Sequence, residues 1–217
     1  MFSFSGEGVA LDQLNRSLIA MWTQEAIHPL HFYRTGFEAI FFKKSSLQAL
    51  DCVLSSAIPN GKGMVITGKK HLEEIGKRAA DMEISTFIFE ANPHEIPLMN
   101  TLLPISNEVS HLLLVVDDDN DPVEEYINYL SPILRKENIE LILYCREPIQ
   151  KVKERTNEMV DFMIGGWNNF PDHSFVVARR SKLVQTEGNA RVYEHDLHAL
   201  WQWSLRNRES NIAPVEM

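Results

Sequence analysis

The sequence predicts an α/β domain, a three-layer α/β/α sandwich around a mostly parallel sheet. Short apolar runs bounded by Gly, Pro and Asn alternate along the chain with amphipathic segments of helical period. Strands separated by helices cannot close as hairpins, so crossovers join them and cover both faces of the sheet. Composition agrees: 44% hydrophobic and 24% charged over 217 residues is ordinary globular usage, at a length that one α/β core can reach.

Taken in order, Leu11, Leu14, Leu18, Ile19 and Trp22 recur at helical spacing and predict an N-terminal amphipathic helix over Leu11 to Ile27. Phe37 to Phe42 is a short apolar run. Ser45 and Ser46 offer N-cap hydroxyls to a helix carrying Leu47, Leu50, Val53 and Leu54, which stops near Pro59-Asn60-Gly61. Met64 to Thr67 reads as a strand, Lys69 to Met82 as a helix and Ser85 to Phe89 as a strand. His111 to Val116, Glu140 to Cys145, Val160 to Ile164 and Ser174 to Ala178 complete the strands, with a helix over Val123 to Lys136. Leu197, Leu200, Trp201 and Leu205 form one stripe of a last helix, Glu194 to Arg206. The expected organisation is a helical segment over 1–28, the α/β domain over 29–207 and a polar tail over 208–217.

Thirty acidic against 21 basic residues give a net charge of -9, so a polyphosphate backbone meets repulsion and nucleic acid is not an expected partner. Cys52 and Cys145 are far apart and each lies in an apolar run, which excludes a disulfide framework and suits a reducing compartment. No basic-then-apolar leader opens the chain, and no run approaches the ~18 apolar residues of a membrane span. The expectation is a cytoplasmic protein without a membrane partner.

Several local patterns invite chemistry and fall short of it. Gly63 and Gly68-Lys69 have phosphate-loop spacing, but Lys70 stands where a hydroxyl belongs and strand residues occupy the loop. Asp117-Asp118-Asp119-Asn120-Asp121 follows a strand, where ligands of parallel sheets bind, and Asp117 with Asp119 is an alternative magnesium site for phosphoryl transfer. Pro122 rules out a calcium loop, and the same acidic loop is explained as charge at a helix N-terminus. His195 and His198 share a helix face without a third ligand, so no metal site is expected. His111 reads as a hydrogen-bonded structural histidine, and no Ser or Cys has the Gly-flanked elbow of a hydrolase nucleophile.

From about Phe37 to Trp201 the chain resembles the large domain of class V pyridoxal-phosphate (PLP) aminotransferases, nearest to the 2-aminoethylphosphonate and alanine–glyoxylate branch. The resemblance rests on Val53 to Pro59, Val109-Ser110-His111-Leu112, Val160 to Ile164, Phe175 to Arg179, Gly188-Asn189-Ala190-Arg191, and Asp196-Leu197 with Trp201. These are mostly fold-bearing segments, so the resemblance implies a PLP-transferase-like large domain.

At the positions that carry the family's chemistry, the resemblance implies a different residue set. The lysine that forms the Schiff base follows the strand matching Val160 to Ile164. Here the turn reads Gly165-Gly166-Trp167-Asn168-Asn169, with Asn169 at the lysine position and no lysine between Lys153 and Lys182. Tyr144 stands where an aspartate pairs with the pyridine nitrogen, and a phenol cannot supply that charge. Lys44, Ser45 and Ser46 replace the Gly/Ser-rich phosphate turn, keeping hydroxyls at a helix end where a small anionic ligand can bind. His71 follows Gly68 where the family places an aromatic, and Phe170 to His173 is a shortened loop. With the C-terminal domain also expected to be absent, the expectation is an aminotransferase-like pseudoenzyme. It would not be an enzyme and would have no covalently bound PLP or other cofactor. A binding or assembly role is expected, as a homodimer or paired with a related subunit. The residues left for a ligand are Lys44, Ser45, Ser46, His71, Asp117, Asp119, Asn168 and Asn169.

Overall fold

The computed structural model describes residues 37–42, 45–90, 104–116, 122–145, 159–167, 170–179 and 182. Ten elements run in the order β1 (Phe37–Phe42), α1 (Ser46–Ala57), β2 (Gly63–Gly68), α2 (Leu72–Asp81), β3 (Thr86–Glu90), β4 (Val109–Val116), α3 (Val123–Lys136), β5 (Glu140–Cys145), β6 (Phe162–Trp167) and β7 (Phe170–Arg179). The expected helices over Leu11 to Ile27 and Glu194 to Arg206 lie outside the described residues.

One seven-stranded sheet has the order β1-β7-β6-β5-β4-β2-β3. β3, β2, β4, β5 and β6 are parallel, while β7 is antiparallel to both β6 and β1. The order reverses between β2 and β4, because β2 leads outward to β3 and the chain then returns to β2's other side. Such a switch point opens a crevice at the C-terminal strand ends. Gly68 closes β2 there with φ +155°; a Cβ on it would meet the Val115 carbonyl oxygen at 2.7 Å.

The sheet is sandwiched, as expected. Alternate residues of β5 supply both cores. Leu141, Leu143 and Cys145 pack with Ile127, Leu130 and Leu134 of α3, while Ile142 and Tyr144 pack with Leu50, Leu54 and Ile75 of α1 and α2. Full burial of each large aliphatic side chain contributes roughly 1.5–3 kcal/mol, so both faces need cover.

Three local expectations are corrected. The stretch Gly165-Gly166-Trp167 is not a turn but the end of β6, and Phe170 to His173 is not a loop but the start of β7. The physical reason is pairing: Gly165 faces Phe175 and Gly166 faces Ser174 across an antiparallel ladder, and glycine leaves room for the Phe175 ring. The last two strands therefore do pair as a hairpin. The second helix begins at Leu72 rather than Lys69, because His71 takes φ 60°, a left-handed conformation that no helix continues.

Candidate functional site

In a parallel sheet the helix before a strand runs back along it, so α1, which leads into β2, presents its N-terminus at the C-terminal sheet edge. Ser45 caps that end: its Oγ accepts from Gln48 N at 3.4 Å, while Ser45 N donates to Gln48 Oε1 at 3.2 Å, a reciprocal capping box. The next residue, Ser46, has its Oγ 3.1 Å from the Tyr144 hydroxyl. Tyr144 itself is fully buried near the end of β5. Ser174 of β7 donates from Oγ to the Ser45 carbonyl at 3.3 Å, tying the helix end to a third element.

The electrostatics of this end differ from those of the other described helices. α2 opens with Glu73 and Glu74 and α3 with Glu124 and Glu125, whereas α1 has no acidic residue in its first turn. The partial positive charge of α1's first N–H groups is therefore not balanced by its own carboxylates. Cys145, next to Tyr144, offers no thiolate nucleophile, since burial pushes its thiol well above the usual range.

The structure thus brings together Ser45, Ser46 and Tyr144 from the sequence-derived set. His71 is exposed at the start of α2, with its Nδ1 3.9 Å from Glu74 Oε2 and no capping hydrogen bond. Lys44, Asp117, Asp119, Asn168 and Asn169 lie outside the described residues. The acidic loop that they include has no geometry to weigh, and among the described residues no group of three His, Cys, Asp or Glu could hold a metal. No described helix is long and apolar enough to cross a membrane. Ser174 was missed at the sequence level because its role comes only from β7 lying beside α1.

A second cluster lies at the opposite sheet edge. Glu140 contacts Lys182, and His111 Nε2 is 3.3 Å from Glu140 Oε2, in range but too poorly aligned to satisfy the ring nitrogen. Burial would raise the Glu140 pKa, but the adjacent His111 ring and the hydrogen bond and charge of Lys182 outweigh it and hold the value at about 2. The neighbouring Asp161 goes the other way: burial raises its pKa despite the hydrogen bond from Leu141 N. Between the helices, Asp51 is likewise raised by burial although Arg78 donates to it at 2.7 Å.

No family model matches this chain. Among known proteins it is 22% identical over 201 residues to the 2-aminoethylphosphonate–pyruvate transaminase of Bacillus cytotoxicus, covering 88% of this chain and 53% of that protein. It is 21% identical over 176 residues to the transaminase of the same name from Bacteroides fragilis, covering 76% and 48%. The chain spans about half the length of these curated relatives. Among solved structures, a probable N-succinyldiaminopimelate aminotransferase from Thermus thermophilus superposes with a TM-score of 0.65 at 12% identity, covering 89% of this chain and 58% of that one. The ureidoglycine–glyoxylate aminotransferase of Bacillus subtilis gives 0.60 at 12% identity, covering 94% and 55%. A PLP-bound C–S lyase from Staphylococcus hominis gives 0.56, also at 12% identity, covering 90% and 55%. The fold is that of these PLP enzymes, and the resemblance read from the sequence holds.

Two expectations are overturned by the same comparison. That the chain is not an enzyme is contradicted by sequence relatives named as transaminases and fold neighbours named as aminotransferases. That it has no cofactor is contradicted because related aminotransferases depend on PLP. The error has a physical source. The expectation rested on single residue types at Asn169 and Tyr144, and the loss of a group for one bond or one charge pair does not by itself abolish the binding of a cofactor that has several points of attachment.

Proposed function

We propose that this chain, an aminotransferase-like domain with the PLP-transferase fold, holds a pyridoxal-phosphate-type ligand at the C-terminal sheet edge by non-covalent contacts. The observation that carries the reading is the N-terminus of α1, the one described helix whose first turn has no carboxylate, with the hydroxyls of Ser46 and Tyr144 in contact beside it. Helix N-termini bind phosphate through unpaired N–H groups and the local dipole. The phosphate end of the ligand fits this cradle, with the Ser46 hydroxyl donating to it. Tyr144 offers the ring a neutral hydroxyl rather than a carboxylate. When bound, the cofactor would supply an electron sink for reactions at an amino-bearing carbon. The chain's own residues bind and orient. The working assembly is proposed to be a homodimer or a pair with a related subunit, a reading supported by the family resemblance.

Titration of the purified protein with PLP, pyridoxamine phosphate and inorganic phosphate, read by thermal melting and PLP absorbance, tests this. Saturable stabilisation is expected with the two cofactors, reaching about 2.7 kcal/mol at a hundredfold excess over Kd. Ser46→Ala should weaken it by roughly tenfold to a hundredfold, the worth of one hydrogen bond to a charged group. Absence of saturable binding would sink the reading. A borohydride-fixed adduct on a lysine of this chain would overturn its non-covalent part.

A further inference from the structure

At the N-terminal edge of the sheet, beyond α1's far end, lies a cavity of about 300 Å³ lined by Ser56, Ala57, Ser110, His111, Glu140 and Phe162, with Lys182 at its side. Tyr144 and Glu140 are four residues apart on β5, so this cavity lies about 13 Å from the cradle of α1. We propose that it is a second, acyl-accepting site, in which Ser110 is the nucleophile, His111 its base and Glu140 the residue that positions the base.

A backbone irregularity makes the arrangement possible. Neighbours on a strand point to opposite faces, so Ser110 and His111 would ordinarily be separated by the sheet. Here Gly63 pairs with Val109 and Met64 with His111, leaving Ser110 unpaired as a bulge residue. The burial pattern agrees: Val109 and Leu112, three apart, share the α3 face, while Leu113 and Val115 share the α1 face. Bulges re-aim side chains, and this one brings the Ser110 hydroxyl within 2.8 Å of His111 Nδ1.

The carboxylate assigns the tautomer. A lone pair on Nε2 facing Glu140 Oε2 at 3.3 Å would be repelled, so Nε2 carries the proton and Nδ1 is the acceptor. The Ser110 O–H then donates to Nδ1, which is the geometry of a base taking a proton from a nucleophile. His111 is 2% exposed, with Nδ1 against the Ser110 hydroxyl and Nε2 facing the Glu140 carboxylate, so the ring is confined between the two. The Phe162 ring, 6.4 Å from the imidazole between centroids, gives the cavity an apolar wall for a short acyl chain. Glu140, kept ionised down to a pH of about 2 by His111 and Lys182 against the effect of burial, is available to stabilise an imidazolium.

The substrate class is a small activated ester. Ser110 Oγ attacks the acyl carbon and its proton passes to Nδ1. The Oγ–carbon bond forms as the carbon–oxygen bond to the leaving alcohol breaks. That alcohol departs with the bonding pair and takes the proton back from Nδ1, leaving an ester on Ser110.

p-Nitrophenyl acetate is the probe, read by nitrophenolate release and by peptide mass. The expected result is one acetyl group on Ser110, acylation slowed at least a hundredfold in Ser110→Ala and in His111→Gln, and partial recovery of His111→Ala by added imidazole. Glu140→Gln should acylate more slowly by several-fold, with Glu140→Asp restoring part of the rate. Ser110→Ala removes only a hydroxyl at a half-buried position and should melt within about 2 °C of the parent. It should also leave the PLP titration unchanged, which separates this proposal from the reading of the other edge. An unmodified Ser110 in folded protein, or equal labelling of the parent and Ser110→Ala, would overturn it. If the His111 variants do not fold, the site of acetylation in the parent still decides.

Discussion

Glu140 illustrates how one side chain can reveal its surroundings through pH. Its folded pKa of about 2 lies below the ordinary 4.5, because His111 and Lys182 outweigh the effect of burial. A depressed carboxylate contributes its full stabilisation above the unfolded value and loses it as pH falls through the folded one. Stability should therefore fall between pH of about 4.5 and 2. The carboxylate is 30% exposed, so solvent screening limits its share to about 1–2 kcal/mol. Glu140→Gln should flatten that part of the curve. A urea-unfolding series over the acid range that is the same for parent and variant would reject the assignment. Asp51 and Asp161, whose pKa values are raised chiefly by burial, act with the opposite sign; the Glu140 charge adds to the rise at Asp161, so the difference between parent and variant reports Glu140 together with its effect on Asp161. At this scale the sequence singled out Tyr144 and Ser46 as candidate site residues. It could not show that their hydroxyls touch, since 98 residues separate them.

At the scale of elements, periodicity located α1, α3 and the parallel strands to within a few residues, because each buries a stripe or run that local spacing displays. It misread the facing ends of β6 and β7, where Gly165-Gly166 is ordinary turn vocabulary. Gly165 is a strand residue because the hairpin partner needs its space. A Cβ on Gly165 would lie 2.4 Å from Phe175 Cζ, and the Phe175 ring is itself buried and cannot swing into solvent. Gly165→Ala should cost about 1–3 kcal/mol in chemical denaturation. Combining it with Phe175→Leu should give a loss smaller than the sum of the two single losses. Strict additivity would mean that the contact is not what requires glycine.

For the whole molecule, one continuous sheet with helices on both faces carries two separate polar clusters at opposite strand ends, and the same α1 contributes its N-terminus to one and its C-terminal turn to the other. If the chain assembles as proposed, light scattering should report twice the 24.9 kDa chain mass at micromolar concentration. A monomer mass, alone and with PLP present, would count against a homodimer. The sequence by itself determined the alternation of elements, the three layers and the family pattern, because these follow from which residues near each other in the chain must leave water. Only the tertiary structure decided the strand order, the antiparallel hairpin, the meeting of Ser46 with Tyr144 and the bulge that aligns Ser110 with His111. Register and contacts between distant segments depend on how whole elements pack, and no local window of sequence contains that information.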